Sequence, residues 1–160
     1  MTEHRYRIAR HFASLFAGLW FALAGLIPVI LVISIAFGLF EVDITKTDFL
    51  VSAVFLPISS AAICGFIFGS AILDRSRIKT TAEAKRRGFY IAVFSYILYN
   101  LMLLPTAYLI NSFNGIEPTG PNVVGGVWLV FFYGLLFVGW LILIVGSAAG
   151  RLLQKFFVAE

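Results

Sequence analysis

Charge is scarce in this chain. Only 12% of its 160 residues are Asp, Glu, Lys or Arg, while 61% are hydrophobic. A soluble domain carries roughly 25% charged residues, and a water-soluble protein of this composition has too little polar surface to cover itself. Cysteine is also nearly missing. Cys64 stands alone, which excludes an internal disulfide and a multi-cysteine metal site. It reads as a small buried apolar residue. Histidine occurs only at His4 and His11, next to the N-terminus. No histidine therefore lies in an apolar stretch to ligate haem or a metal, and a Ser-His-Asp arrangement is excluded there. No Gly-rich loop precedes a Lys-Ser/Thr pair, so there is no P-loop.

The distribution of charge says more than its amount. Four stretches hold no Asp, Glu, Lys or Arg: Phe12–Phe40, Phe49–Leu73, Gly88–Ile116 and Pro118–Gly150, of 29, 25, 29 and 33 residues. A bilayer core takes about 20 apolar residues in a helix. Each stretch is long enough to span once and too short for two passes with a turn. The fold class expected is all-α: a polytopic membrane protein whose single domain, 1–160, holds four transmembrane helices. The spans are expected at about 13–39, 49–73, 89–110 and 123–149, with a basic loop at 74–88. Ala22-Leu23-Ala24 resembles a signal-peptidase site, but the apolar run continues to Phe40, well past the core of a cleavable signal. The first span reads as an uncleaved signal anchor.

Basic residues accumulate in cytoplasmic loops. Three lie before the first span (Arg5, Arg7, Arg10), six in the second connection (Arg75, Arg77, Lys79, Lys85, Arg86, Arg87) and two after the last span (Arg151, Lys155). Only Lys46 falls on the other side. Both termini are expected in the cytoplasm, with the helices in an up-down bundle of two hairpins. The location expected is a bacterial inner membrane or an organelle derived from one. The pI of about 9.5 follows from these inside charges and does not call for nucleic acid.

Local signals mark the helix ends. Thr80-Thr81-Ala82-Glu83 has the form of a capping box, which starts the third helix in water near Thr81. Thr45 to Asp48 repeats the pattern before the second. Asn114-Gly115, Pro118 and Gly120-Pro121 are turn formers in the third connection. Beyond Gly150, Leu152, Leu153, Phe156 and Phe157 share one helical face and Arg151, Gln154 and Lys155 the other, as in an amphipathic extension along the membrane interface.

Helices gain no hydrophobic energy by associating in lipid, so small residues and hydrogen bonds must hold them together. Ala53, Pro57, Ala61, Gly65 and Gly69 recur at every fourth position of the second span. Gly18 of the first span, and Gly146 and Gly150 of the fourth, are the matching small residues. This seam serves either internal packing or contact with another copy or subunit. A polar cluster on the third span pairs Tyr96 with Asn100 and Ser95 with Tyr99. It is either ordinary interhelical hydrogen bonding or a pocket for a headgroup, quinone ring or ion. The six basic residues of the second connection either set topology only or contact anionic lipid or a protein partner.

No acid, base or nucleophile forms a catalytic pattern, and no ionisable group lies at membrane depth to relay protons or ions. No catalytic, metal-ligating or cofactor-binding residue is therefore expected. Bound lipid is expected, and contact with a quinone or pigment is compatible with 17 phenylalanines. The function expected is that of a non-catalytic multi-pass subunit, scaffolding a larger membrane complex. Its partners would be lipids and other subunits or copies of itself. A small homo-oligomeric channel or carrier for a neutral or lipidic substrate is the alternative, lined by Tyr96, Tyr99 and Asn100. A lipid- or quinone-interacting enzyme is the weakest of the three.

Overall fold

A computed structural model describes residues 12–40, 48, 50–74, 80–115 and 120–157. Among them every element is helical and none is a strand. Helix α1 covers Ala13–Phe40. The second span begins with a π-helical turn, Leu50–Phe55, continues as α2, Leu56–Phe68, and tightens into a 3₁₀ turn, Gly69–Ile72. Helix α3 runs without a break from Thr81 to Phe113. The fourth span joins α4, Gly120–Gly134, through a second π turn, Leu135–Gly139, to α5, Trp140–Phe157. Four helices are long and apolar enough to cross a membrane, over Ala13–Ser34, Leu50–Ile72, Thr81–Phe113 and Val123–Phe156. That is the pattern of a multi-pass helical membrane protein.

Sequence chemistry accounts for several of these boundaries. Thr80 is extended (φ −129°, ψ 149°), and its hydroxyl oxygen accepts the Glu83 backbone N–H at 3.3 Å. One of the free donors at the start of α3 is thereby satisfied. At the other end Gly115 takes φ +69°, a left-handed conformation that suits glycine, and stops the helix. Pro57 stands in the first turn of α2, directly after the π turn. It has no N–H to donate, and the widened turn before it accommodates that break.

Helix α3 starts at Thr81, where its capping box places it, so the basic segment 74–88 ends inside that helix. Residues 81–88 are helical, so Lys85, Arg86 and Arg87 lie on the first two turns of α3 and not in a loop. Helix α5 also departs from the amphipathic pattern read for the C-terminal extension. Leu153 is fully buried and Gln154 lies buried beside it, while Leu152 and Phe156 are exposed. The helix end packs into the bundle.

The closest helix packing joins α1 to α2 and α3 to α5; α2 also meets α3, and α1 meets α5, closing a ring. The α1–α2 contact is a crossing of small residues. A Cβ added at Gly65 would stand 2.9 Å from the Ala17 carbonyl oxygen and 2.8 Å from the Phe21 Cβ, and one at Gly69 would stand 2.8 Å from the Ala17 Cβ. Gly18 comes as near to Ala62 and Phe66. The α3–α5 contact uses Ala84, Gly88 and Ala92 against Gly146 and Gly150. In both contacts residue numbers rise on one helix as they fall on the other.

The core occupies one end of the ring. Ala17, Phe21, Cys64, Ile72, Leu73, Ala84, Ile91, Ala149 and Leu153 form one buried cluster. The Trp20 indole N–H donates to the Ala149 carbonyl at 3.0 Å, tying α1 to α5 at the same end. Trp20 is thus half-buried and packed on the core. Toward the other end the helices separate. Both π turns and the prolines Pro28, Pro57 and Pro105 lie there, and α4 meets only α3 to any extent.

Candidate functional site: a cavity at the middle of the bundle

Where the tight crossings end, the four spans line a partly open cavity of about 290 Å³. Its walls are Gly25, Pro28, Val29 and Val32 of α1, Ala53, Pro57 and Ala61 of the second span, Ser95, Tyr96 and Tyr99 of α3, and Val130, Gly134, Val138 and Ile142 of the fourth. These residues fall close to the midpoints of the four charge-free runs, so the cavity lies near the centre of the apolar layer. Small residues and the rings of Pro28 and Pro57 keep the helices apart without filling the gap. The space is nearly twice the roughly 150 Å³ of an apolar cavity that holds benzene.

Three hydroxyl-bearing residues of α3 line this apolar space, and their hydroxyls differ in state. Ser95, buried, donates to the Ile91 carbonyl one turn earlier at 2.7 Å. Tyr96 donates across to the Phe131 carbonyl of α4 at 2.6 Å. Its ring packs on Phe131 with centroids 5.7 Å apart. Gly134 is what lets the phenol in, since a Cβ there would stand 2.8 Å from the Tyr96 oxygen. The Tyr99 hydroxyl has no hydrogen-bond partner among the described residues; its ring lies 6.5 Å from that of Tyr96. One phenol therefore fixes α3 to α4, and the other offers a free donor to the cavity.

Asn100, grouped with the tyrosines by sequence, lies elsewhere. It is 7% exposed and lines a smaller cleft between α3 and α4 with Leu104, Val127 and Trp128. Its Nδ2 donates to the Tyr96 carbonyl at 2.8 Å, while its Oδ1 has no partner among the described residues. Tyr96 and Tyr99 are brought together and Asn100 is turned away, because a step of three and a step of four lead to opposite sides of a helix face.

The seam residues divide in the same way. Gly65 and Gly69 pack against α1 at Ala17 and Phe21, and Gly18 packs against α2. Ala53 and Ala61 line the cavity. Gly146 and Gly150 meet α3, not the second span. Sequence reasoning missed their partner, although Ala84, Gly88 and Ala92 repeat at every fourth position of α3. It also missed Gly25 and Pro28 as cavity walls. Ser60, buried, points its hydroxyl at the Met102 sulfur at 3.9 Å, and Ser59 bonds its own helix. Arg75, Arg77 and Lys79 lie outside the described residues. Lys85 is exposed, and Arg86 and Arg87 stand at the rim of a cleft between α2 and α3. Among the described residues no three His, Cys, Asp or Glu side chains converge in a group that could hold a metal.

Comparison with protein-family models, with curated proteins and with solved structures found no match to this chain.

Proposed function

We propose that this chain is a non-catalytic multi-pass membrane subunit that joins other membrane polypeptides through the outer face of its fourth span. One observation carries this reading. Tyr133 lies at the middle of the fourth charge-free run, is 57% exposed, and has no hydrogen-bond partner among the described residues. A phenol facing hydrocarbon without a partner costs a few kcal/mol. The surface around it is aromatic, with Trp128, Phe132 and Phe137 all exposed, Trp128 stacked on Phe132 and Tyr133 on Phe137. Such rings offer large rigid contact area and a polar handle. A neighbouring helix with a backbone or side-chain acceptor at this depth satisfies the phenol; lipid tails do not. The up-down order of two hairpins and the cytoplasmic position of both termini belong to the same reading, on the strength of eleven of twelve basic residues falling on one side. So does the setting in a bacterial inner membrane or a derived organelle.

The test is site-specific photocrosslinking in the native membrane. A benzophenone side chain at Tyr133 should yield a discrete adduct with a second polypeptide, and one at Ile67, on the outer face of the second span, should not. Exclusive crosslinking of Tyr133 to lipid, with a monomer in mild detergent, would reject the subunit reading. A second reading has its own support: the mid-membrane cavity and its free Tyr99 donor favour a carrier for a neutral or lipidic molecule. Tyr96 and Tyr99 line this cavity within one bundle, the lining expected of a small channel or carrier whether it works as one chain or as a homo-oligomer.

A further inference from the structure

The cleft between the second and third spans combines features found nowhere else among the described residues. Its volume is about 450 Å³. Arg86, Arg87, Ser70 and Tyr90 stand at its polar rim, and Phe68 and Phe94, stacked with ring centroids 5.3 Å apart, form its apolar wall. Neither arginine has an ion-pair or hydrogen-bond partner among the described residues. Arg87 is partly buried and Arg86 is exposed.

Depth decides what fits. Arg87 is the last charged residue before the charge-free run of α3 opens at Gly88, which puts the guanidinium groups at the boundary of the apolar layer. Phe94 is seven residues further along the same helix, about 10 Å deeper at 1.5 Å per residue. Half the hydrocarbon thickness is about 15 Å. A ligand filling this cleft must therefore carry an anion at one end and hydrocarbon for the next 10 Å. A diacyl phospholipid of net negative charge has that form. Its phosphate meets two planar donors suited to bidentate binding, and its upper acyl chain lies on Phe68 and Phe94.

We propose that this cleft is a binding site for one anionic phospholipid, held at the phosphate by Arg86 and Arg87 and along the acyl chain by the Phe68–Phe94 pair. The proposal concerns this cleft alone and goes beyond the subunit reading.

The experiment uses the full chain in nanodiscs of equal phosphatidylglycerol and phosphatidylcholine, released into mild detergent and weighed by native mass spectrometry. The wild type should keep one phosphatidylglycerol. The R86Q/R87Q variant should weaken its retention about tenfold or more, the scale expected for losing hydrogen bonds to a charged group. R151Q/K155Q removes the same charge from the end of α5 and should retain the lipid as the wild type does. Phe94→Ala should shorten retention while keeping the preference for phosphatidylglycerol. Equal retention of phosphatidylcholine would overturn the proposal, as would equal loss in R151Q/K155Q. Full displacement by millimolar inorganic phosphate would also overturn it, because the site would then recognise phosphate without a chain. Circular dichroism of each variant separates loss of the site from loss of the fold: a lipid-free R86Q/R87Q with full helicity supports the proposal, and an R86Q/R87Q that keeps its lipid refutes it.

Discussion

Adding one methyl group at Gly88 probes whether close backbone approach holds this bundle together. The new Cβ would overlap the Gly146 carbonyl oxygen and stand 2.9 Å from the Gly150 Cα and 3.0 Å from the Gly150 nitrogen. All three are backbone atoms, so no rotamer change relieves the contact and the helices must part. Restoring a distance of about 3.5 Å moves α3 from α5 by at least roughly 0.5 Å, enough to forfeit about a quarter of each contact well. At roughly 0.1–0.2 kcal/mol per atom pair, over about forty pairs, the loss is about 1–2 kcal/mol. Overpacking in well-packed cores gives about 1–3 kcal/mol by a separate route. The matched control is Gly125→Ala, where nothing lies within 4 Å of the added atom. Unfolding by rising SDS mole fraction in mixed micelles, followed by tryptophan fluorescence, should show a clear downward shift for Gly88→Ala and almost none for Gly125→Ala. Gly150→Ala strains the same crossing, where its Cβ would be 2.5 Å from the Ala84 carbonyl oxygen. The double variant Gly88→Ala/Gly150→Ala should therefore cost less than the two single changes together. Coincident unfolding curves for Gly88→Ala and Gly125→Ala would refute the reasoning.

Trp20→Phe removes the indole donor to the Ala149 carbonyl and should lower stability in the same assay by about 0.6–2 kcal/mol; no change would mean that packing alone joins α1 to α5. Asn100→Leu removes both a hydrogen bond and a buried oxygen that has no partner among the described residues, two contributions of about 1 kcal/mol and opposite sign. Its unfolding midpoint should stay within about 0.5 kcal/mol of the wild type, whereas a loss of several kcal/mol would show that the Oδ1 is satisfied in the membrane. Thr80→Ala deletes the cap of α3 and should cost about 0.5–2 kcal/mol. Hydrogen exchange checks this last one, since faster exchange should be confined to the first turn, at Ala82 to Ala84.

The four spans were legible because the cost of burying charge in lipid acts on each residue wherever it sits. Twenty-five or more residues without Asp, Glu, Lys or Arg have few other places to fold. The start of α3 was legible for a similarly local reason, since Thr80 and Glu83 act within one turn. Partner choice is different in kind. Gly65 and Gly69 mark a face that invites close approach, but a glycine carries no label for what approaches it, and Ala17 and Gly18 on α1 fit as well by sequence as Gly146 and Gly150 on α5. The structure separates the two pairs because Ala84, Gly88 and Ala92 supply α5 with its own complement. Ala84 and Gly88 stand beside Lys85, Arg86 and Arg87, and a helix that starts in water before entering lipid hides its packing motif among charges.

The candidate site was half legible for the same reason. Tyr96 and Tyr99 stood out as polar groups on an apolar helix, which sequence reveals at once. Which of them is free depends on whether an acceptor from another helix arrives within reach. Phe131 offers its carbonyl to Tyr96 because Gly134 leaves the space, and nothing equivalent among the described residues reaches Tyr99. The two π turns lie in the same half of the bundle as the cavity, at Leu50–Phe55 and Leu135–Gly139. A widened turn shifts every later residue around the helix axis, so the faces predicted from a constant 100° step drift out of register beyond it. On the fourth span such a turn separates α4, which meets α3 at Phe131 and Gly134, from α5, which meets it at Gly146 and Gly150. A reading built on uniform periodicity finds the helices and the tight end of the ring. The open half, from the mid-bundle cavity and its free phenol outward, is set by those departures from periodicity.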